Sequence, residues 1–210
     1  MGGHDSRHAN ESRFRSRPSA RTSNRWYNTG AIRFADTYYL LGAEGVFNYG
    51  PLQIVGEYQH INLSRLEGLE DVNLSGAYVY VSYFLTGEHV PWERDSGTIG
   101  RTKPFENFFL VNTCCDGCAC GMGAWQIAAR VEYISLTDGS LDTLNADTIY
   151  GGDGRQATLG VNWWWTPYSR LQFNYIYGRI EDGGADVRTP GRTLVDGNYN
   201  IWGCRFMVDF

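Results

Sequence analysis

Residues 157–177 read Ala157-Thr158-Leu159-Gly160-Val161-Asn162-Trp163-Trp164-Trp165-Thr166-Pro167-Tyr168-Ser169-Arg170-Leu171-Gln172-Phe173-Asn174-Tyr175-Ile176-Tyr177. Two alternating runs meet at a tight connection. Before it, Ala157, Leu159, Val161, Trp163 and Trp165 oppose Thr158, Gly160 and Asn162; after it, Leu171, Phe173, Tyr175 and Tyr177 oppose Arg170, Gln172 and Asn174. Period two is strand spacing, because successive side chains of an extended backbone point to opposite faces. Thr166-Pro167-Tyr168-Ser169 supplies the turn. The stretch predicts a hairpin with one greasy and one polar face.

The same pattern extends in both directions. Tyr39, Leu41, Ala43 and Phe47 oppose Gly42, Glu44 and Asn48, and Leu52, Ile54 and Tyr58 oppose Gln53, Glu57 and Gln59. Ala77, Val79, Val81, Tyr83 and Leu85 oppose Tyr78, Tyr80 and Ser82; Ile127, Ala129, Val131 and Tyr133 oppose Gln126, Arg130 and Glu132. The chain closes with Trp202, Cys204, Phe206, Val208 and Phe210 against Gly203, Arg205, Met207 and Asp209. With a weaker segment at Trp26–Phe34, the reading is all-β with about eight strands. Residues 1–25 form a polar, Arg-rich segment, a loop or disordered, and 26–210 the strand-patterned portion.

Connections alternate in length. Asn48-Tyr49-Gly50-Pro51 is tight, whereas Arg65–Val72, Thr137–Gly154 and Ile180–Asn198 are long and hold Asp, Glu and Gly. A barrel threaded through a membrane has short turns at one rim and longer loops at the other. The irregular linker 87–124 is the exception: parity puts it at the short-turn rim, where it folds into the lumen or adds a hairpin around Phe105–Asn112.

Composition narrows the function classes. The 210 residues are 42% hydrophobic and 15% aromatic, too apolar for a disordered chain. Eighteen basic against 23 acidic residues give a net charge of -5, which argues against nucleic acid as a partner. No run approaches the ~18–20 consecutive apolar residues of a spanning helix, so a bilayer would be met with strands. The first 25 residues lack the apolar stretch of a secretory signal, so the reading frame is expected either to act inside the cell or to lack its true start.

Three features favour an antiparallel transmembrane β-barrel over a soluble sandwich. A strand of ~11 residues tilted by ~40° rises about as far as a bilayer's hydrocarbon is thick. Aromatic residues gather at segment ends as an interfacial girdle: Tyr39, Tyr49, Trp163, Trp165, Tyr168, Trp202 and Phe210. Arg130, Glu132, Arg170, Asn174 and Arg205 occupy the opposite face, where a wet lumen accommodates charges that a dry core would not. These five are the candidate pore-lining residues; the plainer alternative for each arginine is a solvated side chain without a transport role.

Other constellations carry less. Cys114, Cys115, Cys118 and Cys120 are weak zinc candidates, since four thiolates within seven residues strain a tetrahedron, and a disulfide or a plain loop competes. His4 and His8 are metal-like in spacing only. His60 shares the greasy face with Leu52, Ile54 and Tyr58, but without a convincing Ser and Asn partner it gives no hydrolase. No cofactor and no enzymatic activity are expected.

Particular motifs narrow the reading. The terminal alternation ending on Phe210 is similar to the last strand of Gram-negative outer-membrane proteins. More specific are Phe14-Arg15-Ser16-Arg17-Pro18, Arg25-Trp26, Thr29-Gly30, Tyr38-Tyr39, Gly42-Ala43-Glu44, Tyr49-Gly50-Pro51-Leu52 and Gly56-Glu57-Tyr58. Tyr83-Phe84-Leu85-Thr86-Gly87-Glu88 with Pro91, and Gly123-Ala124-Trp125 with Ala128-Ala129-Arg130, complete the set. Together these resemble the phosphate-selective porin O and P family from Phe14 to Phe210. The resemblance implies an outer-membrane porin passing small hydrophilic, anionic solutes such as phosphate. It also implies that the chain is the C-terminal half of a sixteen-stranded barrel that trimerises, a fragment or a frame missing its beginning. Outer-membrane lipid and, through the last strand, the barrel assembly machinery would be its partners. The family's anion-selecting residues lie mostly upstream and do not carry over, and the cysteine cluster departs from the family pattern. The competing expectation is a small closed barrel of about eight strands, a structural anchor or adhesin with no open channel.

Overall fold

The computed structural model describes residues 3–4, 10–19, 25–112, 118–139, 148–183 and 195–210. One sheet dominates it, built of β1 (Ala35–Tyr49), β2 (Leu52–Arg65), β3 (Val72–Phe84), β4 (Ala124–Asp138), β5 (Ile149–Thr166), β6 (Ser169–Gly183) and β7 (Val195–Val208). Spatial order follows chain order and every neighbouring pair is antiparallel. The fold is an all-β meander, consistent with a porin barrel. Among the described residues β1 and β7 do not pair, so the sheet is open.

Turn chemistry sets the short rim. Tyr49 faces Leu52 across Gly50-Pro51, with Gly50 at φ 53°, a backbone angle that glycine adopts without a Cβ clash. Thr166 faces Ser169 across Pro167-Tyr168. At the other rim the strands outrun the sequence pattern: β4 and β5 pair out to Asp138 and Ile149, and β6 and β7 to Gly183 and Val195. The expected long loops 137–154 and 180–198 are therefore partly strand. Backbone pairing continues beyond the point where the alternation of hydrophobicity ends.

The expected strand at Trp26–Phe34 does not join the sheet. It breaks into Tyr27–Asn28 and Ile32–Arg33, which pair with Arg15–Ser16 and Glu11–Arg13. Gly30 at φ 69° interrupts the run, and the Thr29 N–H donates to the Phe14 carbonyl at 3.0 Å. The N-terminal segment thus lies on the sheet's polar face. Phe14, Tyr27 and Ile32 pack there against Leu63, Val72, Leu74, Leu136, Ile149 and Ile180 near the long-loop rim.

Linker 87–124 forms two small hairpins and packs on both faces at the short-turn end. Trp92–Glu93 and Thr98–Ile99 form one small hairpin, Phe109–Asn112 and Cys118–Gly121 another. On the polar face Val90 packs on a cluster of Phe84, Ala124 and Trp164. On the greasy side the Phe108 ring lies 4.6 Å from that of Trp163, and its N–H donates to the Trp165 carbonyl at 2.7 Å. Gly123, at φ 68°, leads the linker back into β4; a Cβ there would stand 2.2 Å from the Trp164 carbonyl oxygen.

The polar face is thus covered at both ends, and the greasy face is bare except where Phe108 packs on Trp163 and Trp165. Leu41, Phe47, Val131, Leu159, Trp202 and Phe206 are exposed, Trp202 at 80%. A soluble sandwich would bury this face against a second sheet, and no second sheet lies on it among the described residues.

Candidate pore-lining face

Register decides which side chains meet. One row across the polar face runs Glu57, Tyr78, Glu132, Gln156, Gly178 and Tyr199, one residue from each of six strands. The next runs Tyr80, Arg130, Thr158, Ile176 and Ile201, and the one after it Ser82, Ala128, Gly160, Asn174 and Gly203. Arg170 stands opposite Trp164 and Met207, Arg205 opposite Gln172. All five residues expected on the polar face are there, spread over most of its length.

Toward the long-loop rim Glu132 is the hub. Its carboxylate pairs with Arg130 at 2.7 Å and accepts from Gln156 Nε2 at 2.6 Å and Ser19 Oγ at 3.1 Å. The Arg130 guanidinium lies 4.3 Å from the Tyr78 ring centre, and the Tyr199 hydroxyl donates to Gln156 Oε1 at 2.8 Å. Glu132 therefore neutralises Arg130 and holds the N-terminal segment through Ser19. Tyr27 docks beside this hub over Gly154, where a Cβ would stand 2.1 Å from its hydroxyl. Burial pushes the Tyr27 phenol above its ordinary pKa, and its neighbour Tyr199 adds to the shift. A cavity of about 520 Å³ remains between segment and sheet.

Toward the short turns the face carries a chain of amides. Gln172 Nε2 donates to Asn162 Oδ1 at 2.7 Å, Asn162 Nδ2 to Gln126 Oε1 at 2.8 Å, and Gln126 Nε2 to Ser82 Oγ at 3.0 Å. Beside it Arg170 lies 5.0 Å from the Trp164 ring centre. Arg170 and Arg205 both point at the Met207 sulfur, at 3.7 and 3.9 Å. Neither has a carboxylate partner among the described residues. A second cavity of about 670 Å³ opens there between sheet and linker. Across its mouth Arg101 of the linker pairs with Asp209 at 2.6 Å and lies 4.4 Å over the Tyr168 ring. Arg101 is a residue that alternation could not find, because the linker has no period.

Similarity to known proteins bears on this face. A family model, "Phosphate-selective porin O and P", matches residues 6–210. The chain belongs to the phosphate-selective porin O and P family. No curated protein matches it. Membership implies a channel of the outer membrane rather than an enzyme. A porin barrel turns one face of its sheet toward the lumen and the other toward lipid.

The aromatic residues divide by position. Trp163, Trp165, Trp125, Phe206 and Phe108 form one cluster beside the short turns, with ring centres 4.6–5.6 Å apart between touching neighbours. Tyr49 and Tyr168 sit at the turns and Phe210 at the exposed end, while Tyr39 lies toward the opposite rim. Trp202 stands elsewhere: it pairs with Tyr175 in the row of Leu159, midway along the greasy face. His60 meets Ser75 across β2 and β3, yet no hydrogen bond joins them among the described residues, and no nucleophile–base contact forms. Cys114, Cys115 and His8 lie outside the described residues, and Cys118 and Cys120 enter only as backbone of the second linker hairpin. Cys204 is a free thiol on the greasy face.

Proposed function

We propose that the porin passes small hydrophilic anions, phosphate among them, along the polar face, and that Arg170 and Arg205 are its principal anion contacts in this chain. The observation that carries this reading is a pair of guanidinium groups on a polar face with only a thioether between them, Arg170 bordering a cavity. Arg130 contributes less, since Glu132 neutralises it. Selection is electrostatic: a cationic wall raises the local anion concentration, and contacts shared with amides and water stay weak enough for release. The N-terminal segment at one end and the linker at the other narrow the passage.

The open sheet supports the half-barrel over the small closed anchor. With seven antiparallel strands β1 and β7 run in the same direction, so antiparallel closure takes an odd number of further strands. Upstream strands of a longer porin would supply them. Reversal potentials in planar bilayers, measured on the barrel closed by its upstream strands in one polypeptide, test the assignment. Arg170→Glu and Arg205→Glu should each lower the anion-to-cation permeability ratio roughly twofold or more, Arg130→Glu by less, and an unchanged ratio in the first two would remove them from the pathway.

A further inference from the structure

On the lipid-directed face, β4, β5 and β6 place Tyr133, Arg155 and Arg179 directly opposite one another in one row. Like charges opposed across a ladder repel, yet both arginines are outward and exposed. Arg179 pairs with Glu181 at 2.9 Å, whereas Arg155 has no ion-pair partner among the described residues. Just toward the long loops lies an acidic row, Asp153 and Glu181, with Asp153 accepting from Ser135 Oγ at 2.8 Å. Toward the short turns the face becomes mainly apolar, with Asn200 accepting from the Tyr175 hydroxyl at 2.7 Å. Two rows below the arginines begins an open groove of about 720 Å³ bordered by Ala129, Leu159, Phe173, Tyr175 and Trp202.

This order, carboxylates outermost, then guanidinium groups and a phenol, then an apolar groove, matches an amphiphile with a phosphate at its head and acyl chains below. We propose that Tyr133, Arg155 and Arg179 hold the phosphate of an acidic, multiply acylated lipid of the outer leaflet, with one acyl chain lying in the groove. The proposal rests on the outer-membrane reading. Charge complementarity supplies the choice of occupant: a phosphate between the two guanidinium groups relieves their repulsion and gives Arg155 its missing partner. Neutral lipid would leave that repulsion in place. Tyr175 and Trp202, with ring centres 4.5 Å apart, form a wall along which a chain can lie.

The full chain is inserted into phosphatidylcholine vesicles containing a few per cent of a bis-phosphorylated, multiply acylated glucosamine lipid, extracted into mild detergent, and its retained lipid measured by native mass spectrometry. Retention of the phosphorylated lipid is expected. It should fall roughly tenfold in the Arg155→Gln/Arg179→Gln variant, and by a similar factor for the wild type when the lipid lacks its phosphates. Ala129→Phe, which fills the groove and leaves the charges, should also reduce it, and inorganic phosphate should not displace the lipid. Equal retention by wild type and the double variant, or by phosphorylated and dephosphorylated lipid, overturns the site while leaving the porin reading intact. A chain that enters no vesicle at all overturns the outer-membrane reading and the lipid site together.

Discussion

Glu132 is one carboxylate with two tasks, neutralising Arg130 and anchoring Ser19, and the two can be separated. Glu132→Gln keeps a hydrogen-bond acceptor for Ser19 and removes the charge. It should therefore increase anion preference in reversal-potential measurements while the N-terminal segment stays docked. Tyr27 tests the docking itself. Its folded pKa is raised above the unfolded value near 10, so its contribution is complete below about pH 10 and is lost as pH rises through the folded value. Trp26, whose ring centre lies 4.9 Å from that of Tyr199, reports the event. Alkaline titration should shift tryptophan emission as the segment leaves, and Tyr27→Phe should abolish the Tyr27 part of the transition. At Gly154 even a methyl group collides with the Tyr27 ring. Gly154→Ala should leave the sheet intact but expose the bonds after Arg13, Arg15 and Arg25 to trypsin, read by limited proteolysis.

Among elements, the linker between β3 and β4 is held by several weak ties. Glu88, almost fully buried, accepts from the Thr86 hydroxyl and from the Phe105 N–H, the latter at 3.1 Å. Phe108 wedges among tryptophans, and Arg101 clips the mouth to Asp209. That ion pair is about half exposed on both sides, so it contributes at most about 1 kcal/mol. Arg101→Ala should accordingly leave thermal stability nearly unchanged and raise open-channel conductance or its noise, because the linker relaxes from the mouth. Breaking Glu88 is different in kind: Glu88→Ala leaves the part-buried Phe105 amide without its acceptor, at a cost of about 1 kcal/mol or more, and should make the linker proteolytically sensitive. Glu88 was legible only as part of a motif in the sequence, and its burial comes from the chain folding back seventeen residues later onto Phe105.

At the scale of the molecule, the two free edges govern behaviour. Unpaired strand edges invite pairing with another chain, and β1 is exposed along nearly its whole length. Hydrogen–deuterium exchange of the isolated chain in detergent should find β4 and β5 protected and β1 and β7 fast. Supplying the upstream strands in one polypeptide should slow both edges.

Alternation by itself determined the strands, their two faces, and the placement of Arg130, Glu132, Arg170, Asn174 and Arg205 on one of them, because a strand's side-chain period depends on local backbone geometry alone. The positions of the short turns followed from Gly50-Pro51 and Pro167-Tyr168 for the same reason. Only the tertiary structure decided that Trp26–Phe34 leaves the sheet, that Glu132 silences Arg130 while Arg170 and Arg205 stay without a carboxylate, and that Arg101 closes the mouth. Those facts depend on register between strands and on contacts between residues up to about a hundred positions apart, and no local period carries that information.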